Sequence, residues 1–332
     1  MREDISMRVL LTGGAGFVGH HIIEHLLKTT NWEIILLDRL DLSGNLNRVH
    51  EVIRSYDTKG RLKWVYHDFK APVSSSTNSQ IGKVDCILHV GASTHVDRSI
   101  TDPLEFVYDN VVGTANIIEW MRVYQRDAKM IYFSTDEVFG PAAGDIAYTE
   151  WSRYDSRNPY AATKAGGEEL CLAYANTYQL DIRITHCMNI FGERQHAEKF
   201  IPLVIKKVLD GGTVFIHANA EKTKAGSRFY IHARNVANAV SFVLHVGCAR
   251  EKYNIVGSEE VDNLTLAKMI AEVIGKPLQY ELVDFHSSRP GHDLRYALDG
   301  GKMEMLGWKP PVDFTPSLER TVLWTIKNKH WL

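Results

Sequence analysis

The residues Thr12-Gly13-Gly14-Ala15-Gly16-Phe17-Val18-Gly19 lie between an apolar run, Arg8–Leu11, and an amphipathic stretch, Val18–Lys28. Gly14, Gly16 and Gly19 fit G-x-G-x-x-G, and Gly13, Gly16 and Gly19 also fit G-x-x-G-x-x-G. A strand that turns on closely spaced glycines into a helix brings its backbone against a ligand with no Cβ in the way. The helix N-terminus then offers unpaired N–H groups and a positive dipole end, which suit a pyrophosphate.

A second apolar run, Glu33–Leu37, ends at Asp38. A carboxylate about 20 residues beyond the glycine turn can accept hydrogen bonds from both adenosine ribose hydroxyls and repel a 2′-phosphate. NAD is therefore the expected cofactor. Arg39 keeps NADP open, because a neighbouring arginine can accommodate the extra phosphate. The expected cofactor contacts are Gly13, Gly16, Phe17, Val18, Gly19, Asp38 and Arg39, with Ser43, Gly44, Asp68, Phe69, Val90, Gly91 and Ala92 further along.

The alternation continues through the first half of the chain. Leu62–Tyr66, Val84–Val90, Met130–Ser134 and Asp181–Cys187 are predicted strands. Leu46–Arg54, Pro103–Tyr124 and Pro159–Tyr178 are predicted helices between them. Apolar strands alternating with helices imply a parallel sheet covered on both faces, and right-handed crossovers make it a doubly wound α/β fold of the Rossmann type. After Asn189 the pattern changes. Helices at Phe200–Leu209, His232–Val246, Leu264–Ile274 and Pro316–Lys329 surround strands at Thr213–His217 and Tyr253–Val256, the latter expected to return to the sheet. Ser74–Ser79 is expected to be a surface loop. The 332 residues suggest about two domains. They divide into an NAD-binding domain, 7–188 with 229–256, and a smaller mixed α/β substrate domain, 189–228 with 257–332.

Charge and composition exclude several classes. A formal net charge of −2 gives no case for nucleic acid or an anionic membrane. No apolar run approaches the ~20 residues of a membrane span. Cys86, Cys171, Cys187 and Cys248 form no metal or disulfide pattern and are expected to be buried thiols. The histidines lack metal-motif spacing, so no metal is expected. Residues 1–6 lack an apolar signal core, which makes cytoplasmic the expected location.

Tyr160-Ala161-Ala162-Thr163-Lys164 lies in a predicted helix, where residues four apart share a face. A phenol and an ammonium can then address one ligand. The cation favours the phenolate, which makes Tyr160 a candidate base, and Lys164 can also hold the nicotinamide ribose.

These features together resemble the short-chain dehydrogenase/reductase superfamily, in its extended branch of nucleotide-sugar enzymes. The segment Ser134-Thr135-Asp136-Glu137-Val138-Phe139-Gly140 is similar to the STDEVYG signature of dTDP-glucose 4,6-dehydratases. The segments at His95–Ile100, Asn110–Thr114, Glu198–Pro202, Arg289–Asp293 and Leu306–Pro310 look like further parts of that family. The resemblance implies oxidation of a hexose at C4, which acidifies the proton at C5. Loss of water across C5 and C6 then needs a base and an acid. By resemblance Glu137 is the base, Asp136 the acid that protonates the departing O6, and Thr135 the partner of the C4 oxygen.

The resemblance also implies that Asn189, Lys199, Arg228 and Asn263 serve the substrate's diphosphate and nucleoside. Thr94 and His95 would line the sugar pocket beside Phe200, Phe215 and His217 would flank the base, and Arg289 and His292 would close the site. A homodimer is implied, through the helices at Pro103–Tyr124 and Pro159–Tyr178, with Phe106, Ile117 and Leu172 as surplus apolar residues. The sequence departs from the family at Ser93 (usually Glu), Phe139 (Tyr), Ser288 (Asp) and His217 (often Tyr), and Asn219–Ser227 is longer than usual. The nucleotide therefore stays open between dTDP and UDP. A nucleotide-sugar 4-epimerase, a UDP-glucuronate decarboxylase and a non-catalytic NAD-binding scaffold are the alternatives. The Asp136-Glu137 pair separates them, since an epimerase has no use for it.

Overall fold

Seven parallel strands form the centre of the computed structural model, which describes residues 6–41, 43–56, 58, 60–284 and 294–332. Strands β1 (Arg8–Thr12), β2 (Glu33–Asp38), β3 (Leu62–Tyr66), β4 (Cys86–His89), β5 (Lys129–Thr135) and β6 (Asp181–Cys187) lie in the order β3-β2-β1-β4-β5-β6. The strand Lys252–Ile255 adds itself beside β6. β1, β4 and β6 are almost wholly buried because helices cover both faces of the sheet, so exposure does not alternate along them.

Two cores result. On one face Val9, Leu11, Ile34 and Leu36 pack with Ile22, Ile23, Val236 and Val240 of the helices Phe17–Thr29 and Ala233–Val246. On the other, Leu10, Ile35 and Ile87 pack with Ile117, Met121 and Cys171. A third cluster lies beyond the sheet, around Val204, Ile216, Ile270 and Leu318.

Chain order reverses at β1, which pairs with β2 on one side and β4 on the other. The crevice outside the carboxyl ends of these strands is where α/β sheets of this kind place ligands. The Thr12–Gly19 turn opens into it.

Several predicted elements change on folding. Ser75–Ile81 is a helix, not a loop, because the Ser74 side chain accepts from Thr77 N and caps it. The single helix expected over 103–124 is interrupted by a π-helical turn at Tyr108–Val112, between Pro103–Val107 and Gly113–Tyr124. An additional short helix, Val96–Thr101, follows His95. The strand expected at 213–217 runs Val214–Ala218 and pairs outside the main sheet, with Tyr280–Asp284. Cys248 is exposed in the turn after Val246, whereas the other three cysteines are buried as expected. Among the described residues no helix is long and apolar enough to cross a membrane.

The helix positions expected to supply surplus apolar residues are inside the chain's own core. Phe106 stacks edge-on against Tyr160 and Ile117 is fully buried, while Leu172 packs against the second core. The large apolar residues exposed between 103 and 124 are Leu104, Val107, Tyr108 and Val112, and at the far end Val123 and Tyr124.

Candidate active site

The glycine turn is shaped by close backbone approach. Gly13 has φ +69°, and a Cβ there would lie 2.6 Å from Gly91 Cα. A Cβ on Gly19 would lie 2.2 Å from the Gly13 carbonyl oxygen. Helix Phe17–Thr29 begins with no side-chain cap and no acidic residue in its first turn, so its leading N–H groups stay available to an anion. Asp38, at the end of β2, accepts from Ala15 N at 3.0 Å and Leu40 N at 2.8 Å. Burial raises its proton affinity more than these bonds lower it.

Beyond the turn lies a cavity of about 360 Å³, within the range of small-molecule sites. Gly13, Gly16, Phe17, Val18, Gly19, Asp38, Arg39, Ser43 and Gly44 line one end, with Phe69, Val90, Gly91 and Ala92. Thr94, His95, Thr135, Asp136, Glu137, Tyr160, Lys164, Asn189, Lys199 and Phe200 line the other. Asp68 stands outside the wall, 3.5 Å from Arg39.

Four expected substrate residues do not line this cavity. Phe215 is 55% exposed on its strand, and His217 lies on the same strand. The Arg228 guanidinium donates to the Ser227 and Leu294 carbonyls and stacks over Tyr296. Asn263 accepts from the Tyr230 hydroxyl at 2.6 Å, and it is Tyr230 that reaches the cavity wall. Arg289 and His292 lie outside the described residues.

β5 delivers the chemistry. It ends at Thr135, whose hydroxyl caps the short 3-10 turn Asp136–Phe139. Thr135 Oγ1 donates to Asp136 Oδ1 at 3.0 Å. The other carboxyl oxygen, Oδ2, is buried with no hydrogen-bond partner among the described residues. Burial, and then the neighbouring charge of Glu137, push Asp136 up to about 7. A carboxyl so placed holds its proton near neutral pH and can donate it.

Helix Pro159–Tyr178 brings Tyr160 and Lys164 to the same cavity, starting from Asn158, whose side chain caps Ala161 N. The Tyr132 hydroxyl donates to the Lys164 carbonyl, and the Lys164 ammonium sits over the Tyr132 ring. Burial pushes Lys164 down to about 8. The Tyr160 phenol is pushed up by burial and by Glu137, whereas the helix spacing suggested a cation-stabilised phenolate. Desolvation in the closed wall outweighs the ammonium four residues on. Behind both, Glu168 accepts from Ser134 at 2.9 Å and pairs with His186 and Lys252, tying this helix to β5 and β6.

Sequence inspection missed Arg48, Asp109 and Asn158. Arg48 donates to the Ser43, Ala15 and Arg194 carbonyls and lines the cavity. Its signal was present, since it shares the buried helix face of Val49 and Val52. Asn158 carried a cap signal in the Asn-Pro pair that opens its helix, but its bond to Glu137 and the partners of Asp109 left none, because they are distant in sequence.

The model of the GDP-mannose 4,6 dehydratase family matches residues 10–321. The chain is 33% identical to the dTDP-glucose 4,6-dehydratase of Salmonella typhimurium, over 98% of this chain and 94% of that one. Among solved structures it is similar to DesIV, a dTDP-glucose 4,6-dehydratase from Streptomyces venezuelae crystallised with NAD. The identity is 37%, the TM-score 0.87, and 98% of each chain is covered. It is less similar to the UDP-glucose 4-epimerase of Thermus thermophilus, also crystallised with NAD, at 26% identity and a TM-score of 0.83 over 95% of this chain and 98% of that one. This chain belongs to the GDP-mannose 4,6 dehydratase family, together with the dTDP-glucose 4,6-dehydratases that it resembles over nearly all its length.

Proposed function

We propose that this protein is an NAD-dependent nucleotide-sugar 4,6-dehydratase that converts dTDP-glucose to the 4-keto-6-deoxy sugar. The observation that carries the proposal is the Asp136-Glu137 pair in the cavity wall, with Asp136 shifted to about 7 and one of its oxygens without a partner among the described residues.

The residues of the glycine turn fit NAD, since the space against Gly91 admits no Cβ at Gly13 and Asp38 stands at the strand end where ribose hydroxyls are recognised. Bound there, the cofactor supplies the hydride acceptor for C4 and the hydride donor for C6. Thr135 and Tyr160 hold the C4 hydroxyl, and Tyr160 takes its proton. The Lys164 ammonium steadies the ribose and the charge on Tyr160. Glu137, held by Asn158 Nδ2 at 2.9 Å, removes the C5 proton, Asp136 gives its proton to the departing O6 as water leaves, and Glu137 returns a proton to C5 when C6 receives the hydride. Asn189 and Lys199 are assigned to the diphosphate, with Arg228 and Asn263 acting from behind the wall.

The proposal assigns NAD to residues 7–188 and 229–256 and the nucleotide sugar to 189–228 and 257–332. It includes a homodimer formed through Leu104, Val107, Tyr108 and Val112, which are exposed on one helical segment, and a cytoplasmic location. The deciding experiment uses dTDP-glucose and UDP-glucose deuterated at C4, read by mass spectrometry and NMR. Deuterium at C6 of the product is expected, with dTDP-glucose turned over faster. Deuterium at C4 of a galactose product would indicate an epimerase, and carbon dioxide from UDP-glucuronate a decarboxylase. Either would overturn the proposal.

A further inference from the structure

Arg39 follows Asp38 at the adenosine end, where a guanidinium could welcome a 2′-phosphate, and it is already engaged. An arginine has five N–H donors in a rigid fork. Here Nε donates to Asp41 at 2.7 Å. Nη1 donates to Asp109 Oδ1 at 2.6 Å and faces Asp68 at 3.5 Å. Nη2 donates to Asp109 Oδ2 at 2.7 Å and lies 2.6 Å from Asp41. All three guanidinium nitrogens thus face carboxylates.

Asp109 anchors this arrangement. Its side chain is 1% exposed, on the π-helical turn, and it also accepts from the Ser93 hydroxyl at 2.5 Å. The bidentate pair engages both terminal nitrogens of Arg39 with a buried carboxylate, so neither is free for a phosphate. The group as a whole is anionic, since Asp38, Asp41, Asp68 and Asp109 surround one guanidinium and the Lys70 ammonium, which lies 3.9 Å from Asp109.

We propose that Asp109 determines cofactor choice in this enzyme, by sequestering Arg39 in a carboxylate cage so that the protein excludes the 2′-phosphate of NADP even when Asp38 is removed. The proposal rests on NAD being the working cofactor. Asp38 excludes the phosphate by direct repulsion, and the cage withholds the neighbouring guanidinium that could repay its desolvation. The two devices are separate, so removing either alone leaves the other in force.

The test is a double-mutant cycle in the full-length protein. NAD, NADP and 2′,5′-ADP binding are measured by calorimetry for the wild type, Asp38→Ala, Asp109→Asn and the double variant. Each single variant is expected to gain little NADP affinity, on the order of threefold or less. The double variant is expected to gain more than about tenfold beyond the product of the singles. Adding Arg39→Gln should abolish that gain, which a general loosening of the fold would not do. If Asp109→Asn does not fold, Asp41→Asn with Asp68→Asn in the Asp38→Ala background leaves the Asp109 clamp in place, so no Arg39-dependent gain is expected, and such a gain would overturn the role of Asp109. Full NADP binding by Asp38→Ala alone, or a gain that survives Arg39→Gln, would overturn the cage. A wild type that prefers NADP would instead overturn the NAD assignment beneath it.

Discussion

Asn158 holds Glu137 through its amide nitrogen, Nδ2 to Oε2 at 2.9 Å, while its amide oxygen accepts from Ala161 N at 2.8 Å. One side chain thus couples the carboxylate assigned to the C5 proton to the first turn of the helix that carries Tyr160. Asn158→Ala should lower stability by about 1 kcal/mol through the lost cap. It should also slow elimination more than C4 oxidation, because Glu137 loses its orientation. Thermal denaturation reads the first effect, and exchange of the C5 proton with solvent the second. Unchanged C5 exchange would show that Asn158 is a cap and nothing more.

Asp136 donates only while protonated. Its shift to about 7 predicts that turnover falls as pH rises through about 7. Lys164, pushed down to about 8, must stay charged to support Tyr160. Asp136→Asn should therefore cut elimination by about a hundred- to ten-thousand-fold. Enzyme-bound NADH should accumulate, and the alkaline limb of the residual oxidation should move up toward about 8. Absorbance at the reduced nicotinamide band, followed from pH 5.5 to 9.5, checks both. A limb that stays near 7 in the variant would remove Asp136 as its source.

Tyr160→Phe keeps the packing against Phe106 but has no proton to transfer. C4 oxidation should fall by about a hundred- to ten-thousand-fold, while NAD binding and thermal stability stay near the wild type. Single-turnover reduction of bound NAD measures the oxidation step directly, and a near-normal rate would exclude Tyr160 from it.

Gly13→Ala should strain the cofactor turn twice. The residue sits at φ +69°, which costs a side chain about 1–2 kcal/mol. Its Cβ also meets Gly91 Cα at 2.6 Å, which forces β1 and the segment after β4 apart. NAD affinity should drop by more than about tenfold, measured by calorimetry on protein stripped of nucleotide. Retained affinity would mean that the turn adjusts without loss.

Much of this molecule is written locally. The glycine spacing from Gly13 to Gly19, the carboxylate at Asp38, the i,i+4 relation of Tyr160 and Lys164 and the run from Thr135 to Glu137 are contiguous or periodic features. The physics that makes them useful acts over one turn or one strand. They mark the sheet and many of the residues that line the cavity. Caps decided what the pattern did not, making a helix of the loop expected after Ser74 and starting another at Ala233 where His232 was expected. Local pattern also misled. Phe106 and Ile117 looked surplus on a helix face, and the fold turned both inward.

What only the tertiary structure decided are pairings and protonation. Arg39 and Asp109 stand 70 residues apart, yet they share a bidentate bond that determines what Arg39 can do. Glu137 meets Asn158 across 21 residues, and Arg48 meets the Arg194 carbonyl across 146. No periodicity records such partners, because each contact forms when crossovers bring separate strand ends together. The proton affinities of Asp136, Tyr160 and Lys164 follow the same rule. A residue's type sets its ordinary value, but burial sets the shift, and burial is a property of everything packed around it.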